Sequence, residues 1–316
     1  MSGVELRPAS LDDAALAADI YSAQYPDEPL DPLMLRYEWE HTTWTADRSV
    51  IERDGRAIGS AYAMHPDWEK ARQRFAIVGA DLLPQHRSVE ALVLAFAEME
   101  RRATAQGARL AATRAREDDR VLRSALEQRE FREDRRSKKW ELDLVAGRER
   151  ILAMTANTRA RMAGQGIALT TLAADGDPER YRKTWRMSEE ASADVPSTLG
   201  HVKEPFDDFM KWLRAPGMHE DRVWIAREGD DVVGMSVLEY PPVRGVVGTA
   251  WTATARQVRG RGIARALKCE TLAQAIALGV DRVRTGNDAK NDPILHLNES
   301  MGYRRFAIRI HFHKDL

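Results

Sequence analysis

Glycine and arginine alternate in Gln257-Val258-Arg259-Gly260-Arg261-Gly262, between an apolar strand-like segment, Thr249 to Thr254, and a long helical pattern running to Leu278. Two glycines at this spacing let the backbone come close to a ligand, and a helix opening there aims its unpaired N–H groups and the positive end of its dipole outward. The chemistry this allows is the holding of an anion, most simply a phosphate. A dinucleotide site fits poorly, because Arg265 stands where a third small residue is needed, Asp281 opens its strand instead of closing it, and Asp288 comes too late. A Walker phosphate loop is excluded, since no Gly-Lys-Ser or Gly-Lys-Thr follows.

The elements that must position this turn follow from turn chemistry and hydrophobic period. Strands are expected at Val4–Arg7, Ser49–Arg53, Arg56–Met64, Arg74–Leu83, Leu110–Arg114 and Phe131–Leu144, with helices after Ser10, at Pro32–Trp39, Val89–Ala105 and Arg120–Gln128. A connecting helix, Arg148–Met162, follows. The same order then recurs: a strand from Ile167, helices at Pro178–Ala191 and Pro205–Leu213, a hairpin around Gly229-Asp230-Asp231, a strand at Val246–Thr254, and the helix that opens at Gly262. It closes with a strand at Asp281–Thr285, a helix at Asn291–Met301 and extended chain to His313. Arg87 and Arg259, Gly107 and Gly279, Glu127 and Glu299, and Phe131 and Tyr303 each stand 172 residues apart (259 − 87 for the first pair). One register held across strand, helix and loop indicates an internal duplication. The expected division is residues 1–146, a linker helix at 147–165, and residues 166–316.

Composition narrows the function. The chain has 316 residues, 43% of them hydrophobic, enough for two cores of middling size. A net charge of -1 gives no overall field to attract nucleic acid or an anionic membrane. No apolar run reaches membrane-spanning length and the N-terminus has no signal-peptide pattern, so a soluble, cytoplasmic protein is expected. Cys269 is the single cysteine, which rules out an intramolecular disulfide, a cysteine-based zinc cluster and a CxxC redox pair, and no metal site is expected. Oligomeric state is not legible.

The run Gln257-Val258-Arg259-Gly260-Arg261-Gly262 resembles the Q/R-x-x-G-x-G/A signature of the GNAT superfamily of N-acetyltransferases. Asn287, Asn291, Glu299, Gly302 and Tyr303 are similar to its second signature, and the element order from Ile167 to His313 is that of the family. The resemblance implies an α/β (α+β) protein of two tandem GNAT-like domains, each a mixed, largely antiparallel sheet flanked by helices. It implies acetyl-CoA as acyl donor, with backbone N–H groups of Val258, Arg259, Gly260, Arg261, Gly262, Ile263 and Ala264 on the pyrophosphate. Charge from Arg259 and Arg261 and hydrogen bonds from Asn287 and Asn291 would add to this, against the alternatives of solvated arginines and turn-forming or capping asparagines. The strand Thr252-Ala253-Thr254 would splay from the strand at Asp281–Thr285 and pair with the pantetheine arm.

A departure stands at Asn298, where the family commonly has a tyrosine that protonates the leaving thiolate. An asparagine amide cannot give up a proton, although it can donate a hydrogen bond to the sulfur. Glu239 and Tyr240, ending the strand beside the expected site, are the candidates for a base acting directly or through water. Glu189, Glu190, Asp194, Asp207 and Asp208 make the acceptor side acidic, suited to an ammonium-bearing small molecule or peptide. Cys269 falls on a small-residue helical stripe and reads as core, and His296 as a surface or packing residue.

In the first copy the cradle reads Gln85-His86-Arg87-Ser88-Val89-Glu90, with both glycines replaced, Leu126 opposite Asn298 and Glu130 opposite Gly302. That half is therefore expected not to bind coenzyme A. The leading function is acetyl transfer to an amine by direct attack. A mycothiol synthase-like acyltransferase and a non-catalytic acyl-CoA-binding or regulatory protein are the alternatives.

Overall fold

Short polar and bent residues punctuate the chain into its elements, which a computed structural model describes for residues 4–316. The first half runs β1 (Val4–Pro8), α1 (Ala14–Gln24), α2 (Pro32–His41), β2 (Thr45–Arg53), β3 (Arg56–His65), β4 (Phe75–Leu82), α3 (Val89–Ala105), β5 (Leu110–Arg116), α4 (Arg120–Gln128) and β6 (Arg132–Asp143). Helix α5 (Arg148–Gly164) leads to β7 (Ile167–Thr171), α6 (Arg180–Ser192), α7 (Phe206–Leu213), β8 (Val223–Glu228), β9 (Asp231–Glu239) and β10 (Gly248–Thr254). Then come α8 (Ile263–Ala277), β11 (Arg282–Asp288), α9 (Asp292–Ser300) and β12 (Arg304–Asp315).

Local chemistry accounts for the boundaries. Asp31 accepts hydrogen bonds from Leu33 and Met34 N–H at the start of α2, where Pro32 has no N–H to satisfy. Ser88 caps α3 by accepting from Ala91 N–H, and Asp119 caps α4 by accepting from Leu122 N–H. The duplication is visible in the backbone: β5, α4 and β6 reappear 172 residues later as β11, α9 and β12, with both ends matching (110 to 282, 120 to 292, 132 to 304). Glu130 keeps the left-handed conformation of its counterpart, with φ +63° against +86° at Gly302. A side chain there costs on the order of 1 kcal/mol, so the same turn is kept at both positions although only the second has the glycine that suits it.

The two halves share one twelve-stranded sheet in the order β1-β2-β3-β4-β5-β12-β6-β11-β10-β9-β8-β7. Among the described residues only β4–β5 and β10–β11 are parallel. Each half gives its last strand to the other: β6 pairs with β11, and β12 with β5. The exchange covers two edges that would otherwise expose unpaired backbone groups, leaving β1 and β7 as the edges of the whole sheet. It also mixes the cores. Trp140 and Leu142 of β6 pack with Cys269, Leu272 and Val283 of the second half, while Phe312 and Leu316 pack against the core of the first.

Helix α5 belongs to the second core, burying Ile151 and Met162 and binding the carbonyl of Cys269 through Thr155 Oγ1. Helices flank both faces of the sheet, with α6 against β9 and β10 on one side and α8 on the other. Asp31 also joins the halves, its second oxygen accepting from Val243 and Arg244 N–H at 2.7 and 2.9 Å. Burial pushes its pKa up, but four backbone donors outweigh that and hold it below the ordinary carboxylate value. Among the described residues no helix is long and apolar enough to cross a membrane.

Candidate functional site

The parallel strands β10 and β11 meet at one pair, Gly248 with Arg284, and diverge toward their C-terminal ends. Thr252, Ala253 and Thr254 therefore pair with β9 on one side and leave a free backbone edge on the other. Such an edge can take an extended polar chain as an added strand. The Thr252 hydroxyl itself is engaged with Ser236 Oγ at 2.8 Å.

The turn after β10 begins with a 3-10 segment in which Val258 N–H bonds Ala255 O and Arg259 N–H bonds Arg256 O. Those two donors are consumed within the turn, which narrows the expected anion cradle to the backbone from Gly260 to Ala264. Gly260 and Gly262 have φ +79° and +90°, a region costly to any residue with a Cβ. Space beside Gly260 is open, and α8 starts without a capping side chain, so its first N–H groups have no local side-chain acceptor.

The arginines redistribute the expected charge. Arg259 pairs with Asp194 at 2.7 Å, Arg261 with Glu228 at 2.9 Å, and Arg256 also with Asp194. The guanidinium over the cradle is instead that of Arg161 in α5, with Cζ 3.3 Å from where a Cβ on Gly262 would stand. Arg161 is exposed and has no ion-pair partner among the described residues. Sequence reasoning missed it because it lies outside both signatures, and only the packing of α5 on α8 brings it here.

Beneath the splay lies a polar cluster. Asn298 is fully buried, its Nδ2 donates to Asn287 Oδ1 at 2.7 Å, and its own Oδ1 has no partner among the described residues. Asn291 occupies the first position before α9, but its side chain makes no capping bond. Lys268, 2% exposed, places its ammonium 5.2 Å from the centre of the Tyr303 ring, with no ion pair among the described residues. Burial pushes the Lys268 pKa down to about 8. Lys268 was also missed, since a lysine on a helix normally reads as solvated; here its neighbours in α8, Leu267, Cys269 and Leu272, are all buried.

The two base candidates do not share an environment. Glu239 lies beside Gly217 and Met34, and burial, then Asp31 and Glu38, push its carboxyl above the ordinary range. Tyr240 packs toward the α8 core with Arg222 over its ring at 4.6 Å, and burial pushes its phenol up to about 12. The acidic side is largely neutralised: Asp194 binds two arginines, Asp208 binds Lys211, and Glu189 meets His201. It offers an ammonium less than its composition suggests. Cys269 is buried, with its thiol pushed up by burial, and His296 is exposed.

The corresponding place in the first half is closed. There α3 starts two residues earlier in the repeat, so Val89 and Glu90 are helical where Arg261 and Gly262 form the turn, and Ser88 caps the helix. Arg87 pairs with Asp119 at 2.6 Å, tying the start of α3 to the start of α4, and Tyr25 also donates to Asp119. The cluster beneath is apolar: Phe96, Phe131 and Leu126 stand where Lys268, Tyr303 and Asn298 stand in the second half, with Phe96 and Phe131 edge to face.

Residues 185–303 match the Acetyltransferase (GNAT) family profile. The fold is similar to a tandem GNAT protein from the clavulanic acid biosynthesis pathway, with TM-score 0.75, 14% identity, and 99% of this chain and 98% of that chain covered. It is similar also to a GCN5-related N-acetyltransferase from Sphaerobacter thermophilus, with TM-score 0.69, 17% identity and coverage of 100% and 96%. A third likeness is to the glucosamine N-acetyltransferase region of a fungal multi-domain GH3 beta-N-acetylglucosaminidase, with TM-score 0.72, 13% identity, and 98% of this chain and 38% of that one covered. Comparison with curated protein sequences gives no match. Identities this low speak for the fold alone.

Proposed function

From a chain that carries a GNAT-family domain at residues 185–303 within a tandem GNAT fold, we propose an acetyl-CoA-dependent N-acetyltransferase whose single coenzyme site lies in the second half. The fold itself supports acyl transfer in general. One observation carries the finer reading: no side-chain contact among the described residues ties the start of α8 to that of α9, with Arg259 drawn to Asp194 and Asn291 making no capping bond, whereas Arg87 and Asp119 tie the matching helix starts of the first half. The residues present fit the donor. The backbone beside Gly260 has open space, Arg161 over the cradle has no ion-pair partner among the described residues, and the buried Asn298 Oδ1 and Trp251 Nε1 have no hydrogen-bond partner among them either.

When bound, acetyl-CoA supplies an activated thioester carbonyl. The backbone from Gly260 to Ala264 with Arg161 holds the phosphates, and the free edge of Thr252-Ala253-Thr254 orients the arm. Asn298 acts through Asn287, fixing that amide at the end of β11. Lys268, with a pKa near 8, keeps a proton beneath the splay for a leaving thiolate, replacing the acid that an asparagine cannot be. Glu239, lifted by burial, takes the proton of the attacking amine. The acceptor is a small-molecule or peptide amine.

Steady-state acetyl transfer from acetyl-CoA to an amine panel, run beside calorimetric titration with coenzyme A, tests the reading. Turnover on at least one amine, lowered about 100-fold in Glu239→Gln, is expected. The buried position of Asn298 favours one second reading, an acyl-CoA-binding protein without turnover. Tight coenzyme binding with no transfer to any amine would replace the enzyme reading by that one.

A further inference from the structure

A cavity of about 100 Å³ opens in the first half where β4 and β5 diverge, between α1 on one face and Phe96 of α3 on the other. That volume is roughly three waters' share of liquid. Much of its polar lining is already partnered: Tyr25 donates to Asp119, Arg116 binds Asp27 and Asp118, and Arg309 binds Glu28 and Tyr21. Three lining groups are not. The Asp81 carboxylate, the Tyr62 hydroxyl and the Arg114 guanidinium have no hydrogen bond or ion pair among the described residues. One void thus offers a carboxylate, a hydroxyl and a guanidinium that no described protein group engages, a set matched to a ligand bearing both charges.

Their arrangement is particular to this half. Asp81 corresponds to Ala253, Arg114 to Gly286 and Gly79 to Trp251 in the second half. Gly79 is bare because the Tyr62 ring covers it, whereas in the second half Trp251 pairs with Val237. The two splays thus have opposite polarity. In the second, the polar groups Lys268, Asn298 and Tyr303 lie on the α8 and α9 side and Ala253 and Trp251 on the α6 side. In the first, Phe96 and Leu126 lie on the α3 and α4 side, and the charges face α1. The two sites are separated by the three strand intervals from β5 to β11, about 15 Å. A remnant of a coenzyme cleft would have no reason to gain a carboxylate and a guanidinium on its other face.

We propose that this cavity binds a small zwitterionic amino acid, its ammonium held by Asp81 and Tyr62 and its carboxylate by Arg114. Asp81 is half-buried and lines the void, while Arg114 is exposed at its rim, so the ligand enters ammonium first. Burial pushes the Asp81 carboxyl up to about 6 against the opposing pull of the Arg87 and Arg309 charges, which leaves it ionised at neutral pH and desolvated, a cost that a bound ammonium relieves further. The volume limits the ligand to roughly two to four carbons.

The inference does not rest on acyl transfer, and a protein inactive toward every amine can still satisfy it. Coenzyme-free, full-length protein is titrated calorimetrically with glycine, β-alanine and γ-aminobutyrate, and with n-propylamine and propionate as single-charge analogues. At least one zwitterion is expected to bind with one-to-one stoichiometry and about tenfold or more in preference to both analogues. Arg114→Gln, at an exposed position that leaves folding intact, and Asp81→Asn should each weaken it about tenfold or more. Absence of saturable binding by all three zwitterions up to about 10 mM overturns the proposal. So does n-propylamine or propionate binding as well as the zwitterion, or binding that survives Arg114→Gln.

Discussion

Arg87 Nη2 lies 2.6 Å from Asp119 Oδ2, with both side chains largely buried, and this one contact joins the start of α3 to the start of α4 across the mouth of the first half. The matching residues, Arg259 and Asn291, do not touch: Arg259 turns outward to Asp194. A carboxylate in one copy and an amide in the other decides which mouth is shut. Asp119→Asn should leave Arg87 as a buried charge without its counterion and destabilise the protein by about 3 kcal/mol in urea unfolding, with coenzyme A affinity unchanged. Asn291→Asp, placing an anion at the open mouth, should weaken coenzyme A at least about tenfold by calorimetry, and unchanged affinity would remove this mouth from the binding path.

The cradle makes a sharper demand. Gly260 has nothing near its absent Cβ but a φ of +79°, so Gly260→Asp costs on the order of 1 kcal/mol in strain and keeps the fold while its charge abolishes coenzyme A binding. Ser88→Asp in the first half should leave binding intact. Arg161→Ala should weaken coenzyme A about tenfold with little change in stability, because its side chain is exposed and unpaired. Equal losses in Gly260→Asp and Ser88→Asp would contradict a single site per chain.

Lys268 ties catalysis to pH. As a proton donor it must be protonated, so kcat should fall as pH rises through about 8, and Lys268→Met should lower kcat by about 100-fold and erase that limb. The sign for stability is opposite. A lysine whose folded pKa is depressed from 10.5 to about 8 penalises the folded state fully below 8 and releases that penalty as pH rises toward 10.5. Lys268→Met should therefore stabilise the protein at pH 7 by on the order of 3 kcal/mol and flatten the rise between about pH 8 and 10. A variant no more stable than the parent at neutral pH would mean that the ammonium is solvated.

Strand exchange predicts mutual dependence of the halves. Fragments 1–146 and 147–316 each lose a central strand and the packing of Trp140 or of Phe312 that comes with it. Neither should show a cooperative unfolding transition alone, and co-expression should restore one. Two independently cooperative fragments would show that each half can take back its own last strand.

The sequence by itself determined what depends on local chemistry. Glycines at 260 and 262, the helix start at Ser10, hairpin turns and the 172-residue register mark the elements, the duplication and the half that keeps its cradle, because φ preference and capping act within a few residues. The tertiary structure alone decided what depends on residues far apart in the chain. Which strand completes which sheet, the supply of Arg161 from α5, the engagement of Arg259 and Arg261 by Asp194 and Glu228, and the burial of Lys268 and Asn298 all follow from long-range packing. Charge on a residue is written in the sequence. Whether that charge is free, paired or desolvated is set by its neighbours in space, and at this site those neighbours come from both halves and the helix between them.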